Sequence, residues 1–314
     1  MRSSPAQKVW DVIIVGGGAA GLSAAMFLGR CRRDVLLFDD GKPRNAMSHR
    51  LHGFLSRDGM APAEFLSAGR DQLKPYTSVT SQAARVVDAT RRASGFSVRT
   101  DDGEEFVTRK LLLTTGVVDH LPEQPGFREL YGYSVFVCPY CDGWEMRDKP
   151  LAVYGRGDDK GGGLALEMTI WSSDIVLCTD GPGELSDSFR HRLQNCGIAV
   201  REEKIVRLAG LPSVPHQSPF EIEFESGPAL ARTGLFFNTD RHQASDLAVR
   251  LGSRNTDIKG CSVDEKQMTD IPGLYVAGDA SKDVLQLVVA AAEGAQAAIA
   301  INTSLLDEKI AYSG

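Results

Sequence analysis

Cys138 and Cys141 stand two residues apart in the run Cys138-Pro139-Tyr140-Cys141-Asp142-Gly143. Thiols at that spacing can close into a small disulfide, form half of a metal site, or sit as independent small apolar residues. The other cysteines, Cys31, Cys178, Cys196 and Cys261, are scattered singly, and the histidines at 49, 52, 120, 191, 216 and 242 supply no second close pair. Zinc wants four ligands, so redox exchange is the leading chemistry for the pair. Asp142, beside the second thiol, is the candidate proton carrier as the pair opens and closes. Its plain alternative is a solvated carboxylate in a turn. A β-type run, Ser134 to Val137, leads into the motif, and a helix start after it would favour one thiolate.

Elements on either side must position this pair. Asp11 to Val15 is a short apolar run ending in Gly16-Gly17-Gly18, followed by the helix-forming Ala19 to Leu28 and a second apolar run, Val35 to Phe38. This is strand, glycine turn, helix, strand, the opening of a doubly wound sheet. In Gly16-x-Gly18-x-x-Gly21, Gly16 permits the tight turn, Gly18 lets backbone approach a pyrophosphate, and Gly21 lets the helix pack on the strand. Asp39 ends the second strand, where a carboxylate accepts hydrogen bonds from an adenosine ribose. Near the other end, Gly278-Asp279 follows the strand-like Leu274 to Ala277. Read with the first motif, Asp279 would reach a flavin ribitol hydroxyl. The helix after it would aim its positive end at the flavin ring, with the Gln286 N–H against a ring carbonyl.

The same order recurs in the middle of the chain. A meander with turns at Ala93-Ser94-Gly95 and Asp101-Asp102-Gly103 runs into Leu111 to Leu113 and Thr114-Thr115-Gly116. Then Leu151 to Tyr154 leads into Gly155-Arg156-Gly157, a helix over Leu164 to Trp171, a strand over Asp174 to Leu177, a hairpin at Phe220 to Phe224 and a strand at Leu235 to Phe237. Each half has a βαβ unit, a meander and a closing strand, an internal duplication of architecture. The fold class is therefore α/β, with two Rossmann-like domains, the second inserted in the first. Residues 1–118 and 245–314 form the FAD-binding domain. Residues 119–244 form a central domain with the CxxC pair and a degenerate NAD(P)-type site at Gly155, Gly157 and Asp180.

Composition excludes several other classes. The chain has 314 residues, a formal net charge of −6 and no basic run, which argues against nucleic acid or anionic lipid as partner. The apolar stretch Val284 to Ile301 is broken by Gln286, Glu293, Gly294 and Gln296, against a membrane span. Met1 to Trp10 lacks the apolar core of a secretory signal, so a cytoplasmic location is expected.

The ordered set of glycine turn, Thr114-Thr115-Gly116, Cys-x-x-Cys-Asp-Gly, second glycine turn and Gly278-Asp279 resembles the low-molecular-weight thioredoxin-reductase family of flavin disulfide oxidoreductases over nearly the whole chain. The resemblance implies FAD as permanent cofactor, a homodimer, and a thioredoxin-like protein or small dithiol as partner. It also implies that Cys141 faces the flavin, Cys138 exchanges with the external thiol, and Asp142 is the acid–base. The central domain would rotate about hinges near 116–121 and 241–246.

Two features depart from the family. Lys160 stands where a small residue should let the second helix approach its strand, and Gly161-Gly162-Gly163 weakens the helix start. After the next strand, Cys178-Thr179-Asp180-Gly181 offers a carboxylate where NADPH users place arginines, so NADPH is disfavoured. Three readings of that pocket stay open: it takes NADH, it is vestigial as in flavin dithiol oxidases, or it holds a second FAD as in a diflavin-linked branch. Cys-Pro-Tyr-Cys is also the active sequence of glutaredoxins, but the surrounding elements do not fit that short fold. A non-catalytic flavin-binding sensor is the alternative outside enzymes.

Overall fold

The computed structural model describes residues 7–238, 240–255, 260–281 and 284–311. Part of the N-terminal stretch read for a secretory signal, residues 1–6, lies outside them. The architecture is mixed α/β with two Rossmann-like units, each built on parallel strands. One compact unit comprises Met1–Ala46, Pro62–Val118 and His242–Gly314; the other comprises Met47–Ala61 and Asp119–Arg241. Residues 47–61, expected with the FAD-binding unit, thus group with the central one, and 242–244 group with the first. The physical reason for the former is local: the His49 ring packs edge-on against Tyr133 with centroids 4.5 Å apart, and the His52 ring faces Glu145.

In the first unit, Val9–Val15 pairs in parallel with Val35–Asp39 on one side and with Glu105–Leu113 on the other. The strand Glu105–Leu113 is long enough to serve two partners on its far edge. Its first half pairs antiparallel with Gly95–Thr100, and its last three residues pair in parallel with Leu274–Val276. That division lets a meander and the returning C-terminal segment share one sheet. The strands are apolar on both faces; Val12, Ile13 and Ile14 are fully buried, as a helix-covered parallel sheet requires. One face packs under the helices Ala19–Arg30 and Leu287–Ala311, through Leu28, Ala297, Ala298, Ile301 and Leu305. The apolar stretch near the C-terminus accordingly runs into that 25-residue helix, one face of which is buried. Among the described residues, no helix is long and apolar enough to cross a membrane.

The central unit repeats the plan with a five-stranded parallel sheet. Leu151–Tyr154 sits between Ile175–Cys178 and Gly234–Phe237, and Val135–Phe136 forms the edge beyond the latter. A separate antiparallel sheet joins Ile205–Ala209, Phe220–Phe224 and Leu230–Arg232. The expected helix over Leu164 to Trp171 is broken up: a π-helical turn spans Gly157–Gly163, an α-turn Leu164–Glu167, and a 3-10 turn Met168–Ile170.

Candidate active site

Cys138 and Cys141 form a disulfide, with an S–S distance of 2.05 Å and Cα atoms 5.2 Å apart. The edge strand Val135–Phe136 delivers the chain to Cys138, whose backbone is extended. Pro139 then opens a single helical turn, Pro139–Asp142, where its fixed φ suits the first helical position and its missing N–H costs nothing. The Cys138 carbonyl accepts the N–H groups of Cys141 and Asp142 at 3.1 and 3.2 Å. One turn carries little macrodipole, so the support expected from a helix start for a thiolate is confined to these local N–H groups.

Asp142 is not a solvated turn carboxylate. Its Oδ1 lies 2.9 Å from Nε2 of His216, and both side chains are mostly buried. An ionised carboxylate only accepts, so Nε2 carries the hydrogen when Asp142 is charged. His216 was not singled out from the sequence, because it lies 74 residues from Asp142 in a loop without periodicity. Beside Cys141 is a partly open cavity of about 210 Å³, lined by His52, Gly53, Asp58, Tyr140, Trp144 and Glu145. Tyr140 and Trp144 stand exposed at its rim, at 70% and 65%. The Gly53 N–H donates to Asp58 at 2.8 Å and holds that carboxyl below its usual range.

In the first unit the remaining motif residues share one rim of the sheet. Four parallel strands end in a staircase of three bonds: Gly16 N–H donates to Phe38, Thr114 N–H to Val15, and Ala277 N–H to Leu113, at 2.8 to 3.0 Å. Asp39, Gly16, Thr114 and Gly278 therefore emerge together at the C-terminal strand ends, where open α/β sheets bind ligands. A Cβ at Gly21 would lie 1.9 Å from the Gly16 carbonyl, so the helix sits directly on the turn. A Cβ at Gly18 would meet nothing within 4 Å, and no side chain caps the helix at Gly18. That open backbone with free helix-start donors fits a pyrophosphate. Asp39 Oδ1 accepts the Gly41 N–H at 3.3 Å. Asp279 pairs with Arg44 at 3.1 Å, and Gly278 N–H donates to the buried Glu293 at 2.8 Å. Arg44 and Glu293 are further residues that local sequence did not reveal in this role. Gln286 directly precedes the long C-terminal helix, with its own N–H turned to the Val284 carbonyl at 3.0 Å.

The second glycine turn is built differently. Gly161 follows Gly155 by one position more than Gly21 follows Gly16. A Cβ at Gly161 would lie 2.7 Å from the Gly155 carbonyl, so Gly161, not position 160, takes the close-packing role. The extra residue is absorbed by the π-helical turn, the usual way a helix accommodates a single insertion. Gly157 adopts a left-handed conformation, φ +71°, and its N–H donates to the Gly183 carbonyl at 2.8 Å. Asp158 Oδ1 likewise accepts the Ser186 N–H at 2.8 Å, and Leu185 packs into the core beneath. Asp180 is buried: Oδ1 accepts the Ile205 N–H at 2.8 Å and Oδ2 the Gln124 amide at 2.9 Å. Arg156 reaches across to the Thr179 carbonyl at 2.7 Å and to the Asp180 carbonyl.

The pyridine nucleotide-disulphide oxidoreductase family matches residues 10–295. The chain belongs to this family. Within it, the chain is 30% identical to the "Probable thioredoxin reductase" of Arthroderma benhamiae, over 96% of this chain and 81% of that one. It is 27% identical to the thioredoxin reductase of Aquifex aeolicus, over 96% and 95% of the two chains. The crystal structure of HlmI superposes with a TM-score of 0.90 at 35% identity, covering 97% of this chain and 95% of that one. The resemblance to thioredoxin reductases is thereby upheld: this is a flavoprotein-type disulfide oxidoreductase, and the family implies FAD and a thioredoxin-like dithiol partner.

The remaining cysteines do not compete with the pair. Cys178 and Cys261 are buried, and burial pushes the Cys178 thiol up to about 12 and raises Cys261. Cys31 and Cys196 are exposed. No cluster of three or more His, Cys, Asp or Glu suited to a metal occurs among the described residues. In the native oxidised protein, iodoacetamide at neutral pH is expected to label Cys31 and Cys196 and to spare Cys178 and Cys261. Mass spectrometry of the peptides checks this, and rapid labelling of Cys178 would refute its burial.

Proposed function

We propose that the protein is an FAD-dependent disulfide oxidoreductase that exchanges two electrons between flavin, the Cys138–Cys141 disulfide and an external dithiol, without taking NADPH. The observation that supports this most is the contrast between the two glycine turns. Space is open beside both Gly18 and its counterpart Gly157, but the Gly157 N–H is spent on the chain's own Gly183 carbonyl. The same contrast weighs against NADH and against a second FAD at Gly155, Gly157 and Asp180. With no nicotinamide to supply electrons, it favours the dithiol-oxidase reading, in which the external dithiol is closed.

FAD, when bound, would supply a two-electron partner for the pair, and Gly16, Gly18, Gly21, Asp39, Gly278 and Asp279 are the residues that would hold it; the Gln286 N–H expected to join them is turned to the Val284 carbonyl. The exchange itself runs on the chain's own sulfurs. One substrate thiol gives its proton to Asp142, and its sulfur bonds to Cys138 Sγ. The Cys138–Cys141 bond breaks, and Cys141 leaves with the electron pair and takes a proton from Asp142. The second substrate thiol, deprotonated in turn, attacks the substrate sulfur of the mixed disulfide, and Cys138 leaves and is protonated. Two electrons and two protons pass from substrate to the cysteine pair.

Anaerobic titration of the purified yellow protein tests the reading. A dithiol such as dithiothreitol is expected to bleach the flavin absorbance, and neither NADPH nor NADH to do so. Bleaching by NADPH would overturn it, two flavins per chain would select the diflavin branch, and no response to any dithiol would favour a sensor. We also read the protein as a homodimer, for which sedimentation at twice the chain mass is the check.

A further inference from the structure

We propose that His216 is a positioning residue for Asp142, built into the central unit to hold that carboxylate beside the redox disulfide. The proposal rests on the reading of Asp142 as the acid–base, and the geometry around His216 carries it further.

His216 is fixed from several directions. Its backbone is left-handed, φ +61°, a region most non-glycine residues avoid and histidine enters more readily than most. Its N–H donates to the Tyr133 carbonyl at 2.7 Å, and its own carbonyl accepts from Lys149 Nζ at 2.7 Å. Its ring lies flat on Phe136, with centroids 4.9 Å apart and planes 6° from parallel. The loop that presents it is tied down in turn: Ser218 Oγ accepts the N–H groups of Ser213 and Val214 at 3.0 Å, and the Ser218 carbonyl accepts from the buried Ser134 hydroxyl at 2.5 Å.

The anchors bracket the disulfide in sequence. Tyr133, Ser134 and Phe136 immediately precede Cys138, and Lys149 follows Asp142 on the far side of the motif. The segment carrying the sulfurs therefore also sets the imidazole, and the imidazole returns one bond, Nε2 to Asp142 Oδ1 at 2.9 Å. Four supports thus converge on an imidazole whose Nε2 meets a mostly buried carboxylate. Held this way, Asp142 keeps one oxygen occupied and one direction fixed, so the proton it passes between thiols travels along a set path.

The test is single-turnover opening of the disulfide in the flavin-loaded protein, read as free thiols trapped by alkylation after mixing with dithiothreitol under anaerobic conditions. Two amides of the same chemistry but different reach separate the bond from the bulk. A glutamine nitrogen sits where Nε2 was, whereas an asparagine nitrogen stops short of it. His216→Asn is expected to slow opening about 10- to 100-fold, the usual effect of losing a partner that orients a reacting group, and His216→Gln to recover most of the rate. Asp142→Asn combined with His216→Asn is expected to be no slower than Asp142→Asn alone, because the two act as one unit. Equal rates for His216→Asn and wild type, failure of His216→Gln to rescue, or multiplicative losses in the double variant would each overturn the proposal. If Asp142→Asn itself opens at the wild-type rate, the failure belongs to the acid–base reading. His216→Asn being slow in that background would point to His216 acting on the sulfurs directly, which also overturns the positioning role.

Discussion

Cys138→Ser and Cys141→Ser are each expected to reduce dithiol exchange to background, a loss of roughly 10³-fold or more, while the protein stays yellow. One sulfur cannot store an electron pair as a disulfide, so no partial activity is available by that route. Flavin should be retained because the residues that would hold it belong to the other compact unit. The two variants should also differ from each other. If Cys138 meets the external thiol, Cys141→Ser leaves it able to form a mixed disulfide with a monothiol, which has no second thiol to expel Cys138, and that monothiol should accumulate on Cys138. Cys138→Ser should trap nothing. Peptide mass spectrometry after exposure to glutathione disulfide, whose leaving thiol diffuses away, reads both outcomes at Cys138 and Cys141 apart from the exposed Cys31 and Cys196. Loss of flavin from both variants would instead mark the pair as structural.

Gly18→Val is expected to strip the protein of FAD without unfolding it. A Cβ there meets nothing of the chain within 4 Å, and the backbone at Gly18, φ −74° and ψ −170°, is one that valine adopts readily. The added methyls would stand where a pyrophosphate must approach the helix start. Affinity should fall by about 10²-fold or more, equivalent to roughly 3 kcal/mol. Calorimetry of the protein reloaded with FAD measures the affinity, and circular dichroism checks that the fold persists. Gly21→Ala is the control with the opposite signature. Its Cβ would lie 1.9 Å from the Gly16 carbonyl, so helix and strand must separate and stability falls by about 1–3 kcal/mol or more. A fully yellow Gly18→Val protein would show that the cradle has been misplaced.

Much of this arrangement was legible in the residues because it is written in short-range patterns. Buried parallel strands read as apolar runs of four to seven residues, and their strand–turn–helix grammar needs no distant information. The CxxC spacing and the first glycine turn belong to the same class. What the sequence hid was of two kinds. Partners that meet only after folding left no local trace: Arg44 reaches Asp279 across 235 residues, and His216 reaches Asp142 across 74. The second kind was a matter of helix geometry. Lys160 read as an obstacle to close packing because an α-helical count was assumed, and a π-turn moved the contact to Gly161. The grouping of residues 47–61 with the central unit was likewise invisible, since those residues have no regular element of their own and take their place from side-chain contacts.

That π-turn has an implication for how such a scaffold can diverge. The strands on either side keep unbroken pairing, Ile175 to Cys178 against Leu151 to Tyr154, residue for residue. An odd amino acid has therefore been swallowed at a helix entrance without disturbing the sheet that the entrance rests on. The sheet's register stays whole there while the Gly157 N–H at the mouth of the turn is taken by the Gly183 carbonyl. Lineages built on this frame can thus rewrite what docks at one edge while inheriting an intact foundation.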